Sequence, residues 1–193
     1  MSDKYNKFKP KIPKQVKIGL IATFLLLIGL FLLTVRTNEE KIYDSYSTTA
    51  STLTENHPFY EISYNGTIFE PGLKKILEED ELVILYIGSH FCSVCIQTIG
   101  NIEKYYFQED MDEIFSQIFY YQDWVGEDAS NDRNDMLEAF PDIQRSTPQV
   151  IVFRNGELFF QYQSPTIQNP SPQDYARAAS NFFIDLKYEI SKL

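Results

Sequence analysis

The sequence predicts an α/β domain, a mixed central sheet with helices on both faces, preceded by one transmembrane helix. Three observations lead there. Apolar runs of strand length alternate with helix-periodic segments from about residue 59 onward. A long uncharged run stands near the N-terminus behind a lysine-rich leader. The chain's two cysteines form a single Cys-x-x-Cys at a strand-to-helix junction.

The N-terminal run comes first. Residues 18–35 (IGLIATFLLLIGLFLLTV) carry no charge, and about 18 apolar residues is near the lower limit for spanning a bilayer. Lys4, Lys7, Lys9, Lys11, Lys14 and Lys17 precede the run, and Glu39 and Glu40 follow it. This asymmetry puts residues 1–17 in the cytoplasm and everything after Arg36 outside. The run ends Thr34-Val35-Arg36 without the small-residue pattern of a cleavage site, so the expected element is an uncleaved single-pass anchor. Residues 36–57, rich in Ser and Thr, read as a stalk or linker, or as a weak helix. The globular domain is then expected over 58–193.

Composition narrows the partners. The formal charge is −10, yet residues 1–36 hold seven basic side chains against Asp3 alone, leaving 26 acidic and ten basic ones beyond. An outer domain this acidic repels phosphate backbones, which argues against nucleic acid. Fifteen Phe and thirteen Tyr indicate an aromatic core rather than a disordered chain.

Within the domain, residues 59–64 (FYEISY) suit a short strand, and Asn65-Gly66 suits a tight turn better than the glycosylation acceptor it formally begins. Pro71-Gly72 introduces a short helix over 73–79. Residues 82–87 (LVILYI) read as a strand covered on both faces. Residues 93–108 follow as a helix, with Ile96, Ile99, Ile102 and Tyr106 at helical spacing. Residues 117–122 (QIFYYQ) form a second buried strand candidate, and a brief helix is expected around 132–140. Residues 149–153 and 158–162 flank Arg154-Asn155-Gly156-Glu157 as a hairpin. The last helix carries one apolar stripe, Tyr175, Ala178, Ala179, Phe182, Phe183, Leu186 and Ile190, with Pro172 in its first turn.

The chemistry concentrates at Cys92-Ser93-Val94-Cys95. A helix N-terminus offers unpaired N–H groups and a positive dipole end, which favour a thiolate at Cys92. Cys95 stands one turn deeper, placed to resolve a mixed disulfide formed on Cys92. Other readings of the motif are half a metal site, with His90 as a third ligand, or two buried apolar thiols. With no third cysteine, a structural disulfide framework is excluded.

Phe91-Cys92-Ser93-Val94-Cys95 after LVILYI, Thr147-Pro148-Gln149-Val150-Ile151-Val152-Phe153, then Arg154-Asn155-Gly156-Glu157 and a closing amphipathic helix together resemble the thioredoxin superfamily. The resemblance implies a cis Pro148 beside the cysteines and a Thr147 backbone that pairs with substrate peptide. It also implies that Cys92 and Cys95 are catalytic, that Thr147, Pro148 and Phe91 border the substrate, and that no cofactor is needed. Trp124 is a further candidate for an apolar rim, or ordinary packing. With its anchor, the chain is similar to exported accessory thiol oxidoreductases of Gram-positive bacteria, some encoded with bacteriocin systems. Departures from the superfamily pattern are Ser93-Val94 between the cysteines, Tyr86 in place of a buried aspartate, and Gly100 in place of a helix-kinking proline.

The function expected is thiol–disulfide exchange outside the membrane on exported cysteine-containing proteins or peptides, with oxidation favoured over reduction. Two cysteines alone cannot relay electrons along the chain, so a separate redox partner is implied. The alternative is a non-enzymatic binding module, either a metal carrier through Cys92, Cys95 and His90 or an accessory or immunity-type peptide-binding protein.

Overall fold

A computed structural model describes residues 13–34, 36–122 and 127–193, the side chains of 31–34 and 127–130 excepted. The chain divides into two compact units, Met1–Thr37 and Asn38–Leu193.

In the first unit, helix α1 runs Lys14–Thr34. Ile18, Ile21, Phe24, Leu26, Leu27 and Leu30 are all exposed, spread round the helix rather than gathered on one face. Among the described residues no helix is long and apolar enough to cross a membrane. The fold therefore does not establish the span expected over 18–35, whose side chains at 31–35 lie outside the described residues.

The second unit contains helix α2 (Asn38–Ser47), strand β1 (Phe59–Glu61), helix α3 (Leu73–Glu79), strand β2 (Leu82–Gly88), helix α4 (Ser93–Gln108) and strand β3 (Ile118–Gln122). Helix α5 (Glu127–Ala139), strands β4 (Gln149–Arg154) and β5 (Glu157–Gln161), and helix α6 (Pro172–Ile190) complete it. The five strands lie in the order β1-β3-β2-β4-β5. β3 pairs parallel with both β1 and β2, whereas β4 runs antiparallel to β2, and β5 antiparallel to β4. The tight return between β4 and β5 uses Asn155 at φ 50° and Gly156 at φ 78°, the left-handed pair that a two-residue hairpin needs.

Alternation along β2 divides the core. Ile84 and Tyr86 face one layer with Val150, Val152, Ile99, Ile102 and Phe183, from β4, α4 and α6. Val83, Leu85 and Ile87 face the other, against Leu73, Leu77, Ile151, Phe153 and Met136. A strand apolar on both sides is the form a sandwiched sheet demands. Helix α6 starts with a capping box in which the Ser171 and Asp174 side chains satisfy each other's backbone N–H groups.

Residues 38–57 correct the expectation of a stalk or linker. Helix α2 buries Ile42, 2% exposed, and Tyr46, 0% exposed, in the same core layer as β2 and α4. Asn38 pairs with the backbone of edge strand β1, accepting from Glu61 N at 2.8 Å and donating to Glu61 O at 3.3 Å. His57 accepts from Phe59 N at 3.2 Å through Nδ1, which leaves Nε2 to donate to the Glu39 carbonyl at 3.1 Å. The chain after α2 crosses helix α4. There Thr54 donates through both its backbone N–H (2.9 Å) and its hydroxyl to the buried carboxylate of Glu103.

Gly100 makes this crossing possible. A Cβ at that position would stand 2.2 Å from Thr52 Oγ1 and 2.8 Å from the Thr52 carbonyl carbon, and the second of these is backbone with little freedom to move. The helix thus carries glycine where the crossing chain lies directly on it.

Candidate active site

Strand β2 ends at Gly88, and Ser89, His90 and Phe91 lead to Cys92, the N-cap of α4, whose φ of −89° and ψ of 116° are extended. In that conformation the Cys92 sulfur turns back over the first helical turn and accepts from Cys95 N at 3.2 Å. Across the site, the Cys92 sulfur lies 3.7 Å from the Thr147 carbonyl oxygen, to which it donates only in its protonated form. Thr147–Pro148 is a cis peptide bond, as the resemblance implies. Both cysteines are free thiols, Cys92 part-exposed and Cys95 buried.

The two sulfurs are chemically unequal. The Cys95 thiol donates to Cys92 and holds it well below the usual thiol range, at about 5. Partial burial opposes the shift, and the bonds from Thr147 and from the N–H groups of Cys95 and Val94 reinforce it. Cys95 is pushed the other way, by that same bond to Cys92 and then by burial. The outer sulfur is therefore an anion at neutral pH and the inner one a protonated thiol.

This asymmetry sets an expected pH profile. Only the thiolate reacts with iodoacetamide, so the alkylation rate of Cys92 should be half-maximal near pH 5 and flat through pH 7. An ordinary cysteine would still be gaining rate above about pH 8. A half-point above pH 7.5, or equal labelling of Cys95 in the folded protein, would contradict the asymmetry.

The structure thus brings Cys92, Cys95, Thr147 and Pro148 together, with Phe91 at the rim, 74% exposed. Trp124 lies outside the described residues. The His90 ring packs on Phe91, centroids 3.9 Å apart, and meets Tyr46 edge-on at 6.3 Å. Among the described residues no group of three or more His, Cys, Asp or Glu side chains is arranged to hold a metal ion.

Two contributions escaped sequence reasoning. Gln149 is buried at the start of β4 and fastens the Thr147 loop, donating to the Gln144 carbonyl at 2.7 Å and the Ser146 carbonyl at 2.6 Å. The second is a set of phenols beneath the cysteines: Tyr86 donates to the Cys95 carbonyl at 3.4 Å, and the Tyr46 and Tyr120 hydroxyls are 3.3 Å apart. Gln149 stands inside an apolar strand, and Tyr46 in a segment that reads as polar. Neither position carries a motif.

The strand order places three parallel strands beside an antiparallel hairpin. The central strand β2 delivers a Cys-x-x-Cys to the first turn of the helix that follows it, opposite the Thr147–Pro148 loop. This is a thioredoxin fold. No protein family and no curated protein matches the chain. Solved structures overlap with it. A disulphide isomerase from Xylella fastidiosa Temecula1 is 20% identical over 60% of this chain and 85% of that one, with a TM-score of 0.35. A mutant thioredoxin from Halobacterium salinarum NRC-1 is 12% identical over 66% and 94%, TM-score 0.36. Human ERp44 in its zinc-bound form is 14% identical over 67% of this chain and 31% of its own length, TM-score 0.41.

Proposed function

We propose that the chain is a thiol–disulfide oxidoreductase that oxidises cysteine-containing exported proteins or peptides outside the cell membrane, held there by α1. One observation carries the chemistry: a thiolate at Cys92, capped by the first turn of α4, next to a buried Cys95 thiol. A client thiolate attacks the Cys92 sulfur of the oxidised enzyme, and the Cys92–Cys95 bond breaks. The client's second thiolate then attacks the mixed disulfide and expels Cys92. The client leaves as a disulfide and the enzyme as a dithiol. A separate redox partner reoxidises the pair.

The low pKa of Cys92 supports this direction. Stabilising the outer thiolate stabilises the reduced enzyme relative to its disulfide, and so makes that disulfide the stronger oxidant. A stabilised thiolate is also the better leaving group when the client resolves the mixed disulfide.

Location rests on separate support. Ile18, Ile21, Phe24, Leu26 and Leu30 are apolar side chains exposed around α1, a surface that water disfavours and a bilayer accepts. Basic residues dominate before them and acidic residues after them, which orients the domain outward. The same arrangement suits the similarity to Gram-positive accessory oxidoreductases encoded with bacteriocin systems.

The test is the reduction potential of the Cys92–Cys95 couple in the full chain, titrated against glutathione. A value near about −120 mV is expected for an oxidase. A value near about −270 mV would reverse the direction to that of a reductase. Failure to form a reversible disulfide would remove the redox reading altogether.

A further inference from the structure

Ile68 and Phe69, in the chain between β1 and α3, are the most exposed large hydrophobic side chains among the described residues, at 95% and 93%. The turn that carries them is closed and bonded. Thr67 N donates to the Glu70 carbonyl at 2.9 Å, and the Thr67 hydroxyl accepts from Phe69 N at 3.3 Å and Glu70 N at 3.1 Å. Below the tip, Gly66 at φ 77° forms a β-bridge with Pro71. Gly66 and Gly72 pass so closely that a Cβ on either would lie 2.3 Å from the other's backbone nitrogen. The Asp132 carboxylate accepts from Tyr64 N at 2.7 Å and Asn65 N at 2.8 Å, which ties the neck of the turn to α5. Two adjacent apolar side chains held out in water by such a turn are unfavourable unless something covers them.

The place of the turn in the domain indicates what covers it. Asn38, the first residue of the second unit, lines one groove with Lys41, Gly66, Thr67 and Glu70. Three residues separate Asn38 from the end of α1 at Thr34, a link that reaches about 14 Å at full extension. With α1 in the bilayer, the groove beside the tip is therefore tethered within a short reach of the membrane. Residues 65–69 carry no charge, and acidic side chains outnumber basic ones in the domain, so the attraction is apolar rather than a pull toward anionic headgroups.

We propose that Ile68 and Phe69 dip into the outer leaflet, a second contact that docks the domain on the membrane in which α1 is anchored. The inference rests on the membrane reading of α1. Insertion is shallow, about 5–10 Å, the depth of side chains at the boundary between headgroups and acyl chains. Strands β1, β3 and β2 run parallel, so this turn and the Cys92 turn leave the same edge of the sheet. Docking thus brings the edge that bears Cys92 toward the bilayer.

The experiment uses the full chain in phosphatidylcholine vesicles and reads tryptophan fluorescence. Trp124, the chain's single tryptophan, is replaced by Phe so that each reporter stands alone. Phe69→Trp and, separately, Ile68→Trp put the reporter at the tip, where no packed neighbour is disturbed. Tyr188→Trp is the control, 63% exposed on the last turns of α6, where Lys187 donates to the Glu109 carbonyl beyond the far end of α4. The tip reporters should emit at shorter wavelength than the control and lose roughly half of their intensity to brominated phosphatidylcholine, more to bromines near the headgroup than to bromines at the chain ends. The control should lose none, and added salt should change neither reading. Thermal melts identify a tip reporter that fails to fold, and the other then decides. Should Trp124→Phe itself fail to fold, difference spectra against the unsubstituted chain give the same readings. Tip reporters that emit as in water and resist quenching, while the chain floats with the vesicles, would overturn the proposal and leave the anchor standing. Short-wavelength emission without quenching would sink it too, since the tip would then lie against protein, such as a second copy of the chain. A chain that does not float with the vesicles at all would overturn the membrane reading of α1, and this proposal with it.

Discussion

Replacing Cys92 with serine should reduce client turnover by roughly a thousandfold or more, while Cys95→Ser should leave the protein covalently joined to its client. The two outcomes differ because the two sulfurs differ. Cys92 is the part-exposed sulfur and the thiolate, so no exchange begins without it. A serine hydroxyl keeps the N-cap geometry but stays protonated at neutral pH and is far less nucleophilic. With Cys95 absent, a mixed disulfide on Cys92 loses its internal resolving thiol and persists until an external thiol arrives. Non-reducing electrophoresis of the Cys95→Ser protein with a reduced client and an oxidant should show a higher-mass adduct that dithiothreitol removes. Retained turnover in Cys92→Ser would exclude exchange chemistry and favour a module that merely holds a peptide.

Tyr46→Ala should lower stability by about 3–5 kcal/mol, the loss typical of truncating a large buried aromatic. For a chain of this size that corresponds to a fall in Tm of about 6–20 °C, measurable by circular dichroism. The ring sits at 0% exposure, edge-on to Tyr120 at 6.3 Å and to His90 at 6.3 Å. Its loss opens a cavity between α2 and the sheet and removes a hydrogen-bond partner of the Tyr120 hydroxyl. Were residues 36–57 the flexible stalk their composition suggests, the same substitution would change stability by no more than about 0.5 kcal/mol. A shift in Tm below about 2 °C would therefore put α2 outside the fold.

That segment also shows why part of the structure is hard to see in the sequence. The sheet was legible because its central strands are apolar on both faces. Residues 82–87 and 150–153 are continuous hydrophobic runs, and the strands that hold them lie within a residue of the expected bounds. Helix α4 was legible because Ile99, Ile102 and Tyr106 repeat at helical spacing and Cys92 stands at its head. Strand β1 proved shorter than 59–64, because the chain at Tyr64 turns out of the sheet to take the Asp132 carboxylate on its backbone N–H. Helix α5 proved longer than expected, beginning at Glu127, since its first half is acidic and carries no apolar stripe. The docking of helix α2 escaped because it anchors through one apolar pair, Ile42 and Tyr46, amid Ser, Thr and Glu. Such a pair fits a solvated helix as well as a docked one. What decides is Gly100, Glu103 and Tyr120, far along the chain, and no local pattern reports them.

The seating of α2 also bears on the order in which the molecule assembles. Tyr46 meets Tyr120 across 74 residues of sequence, Thr54 meets Glu103 across 49, and Asn38 meets Glu61 across 23. Residues 38–57 are the first part of the domain to leave the ribosome, yet the surfaces they close on are completed only when α4 and β3 have been made. Contacts across such separations reward the chain late, after the entropy of closing long loops has been met. The segment synthesised first is thus expected to dock last, over a sheet and an active-site helix already in place.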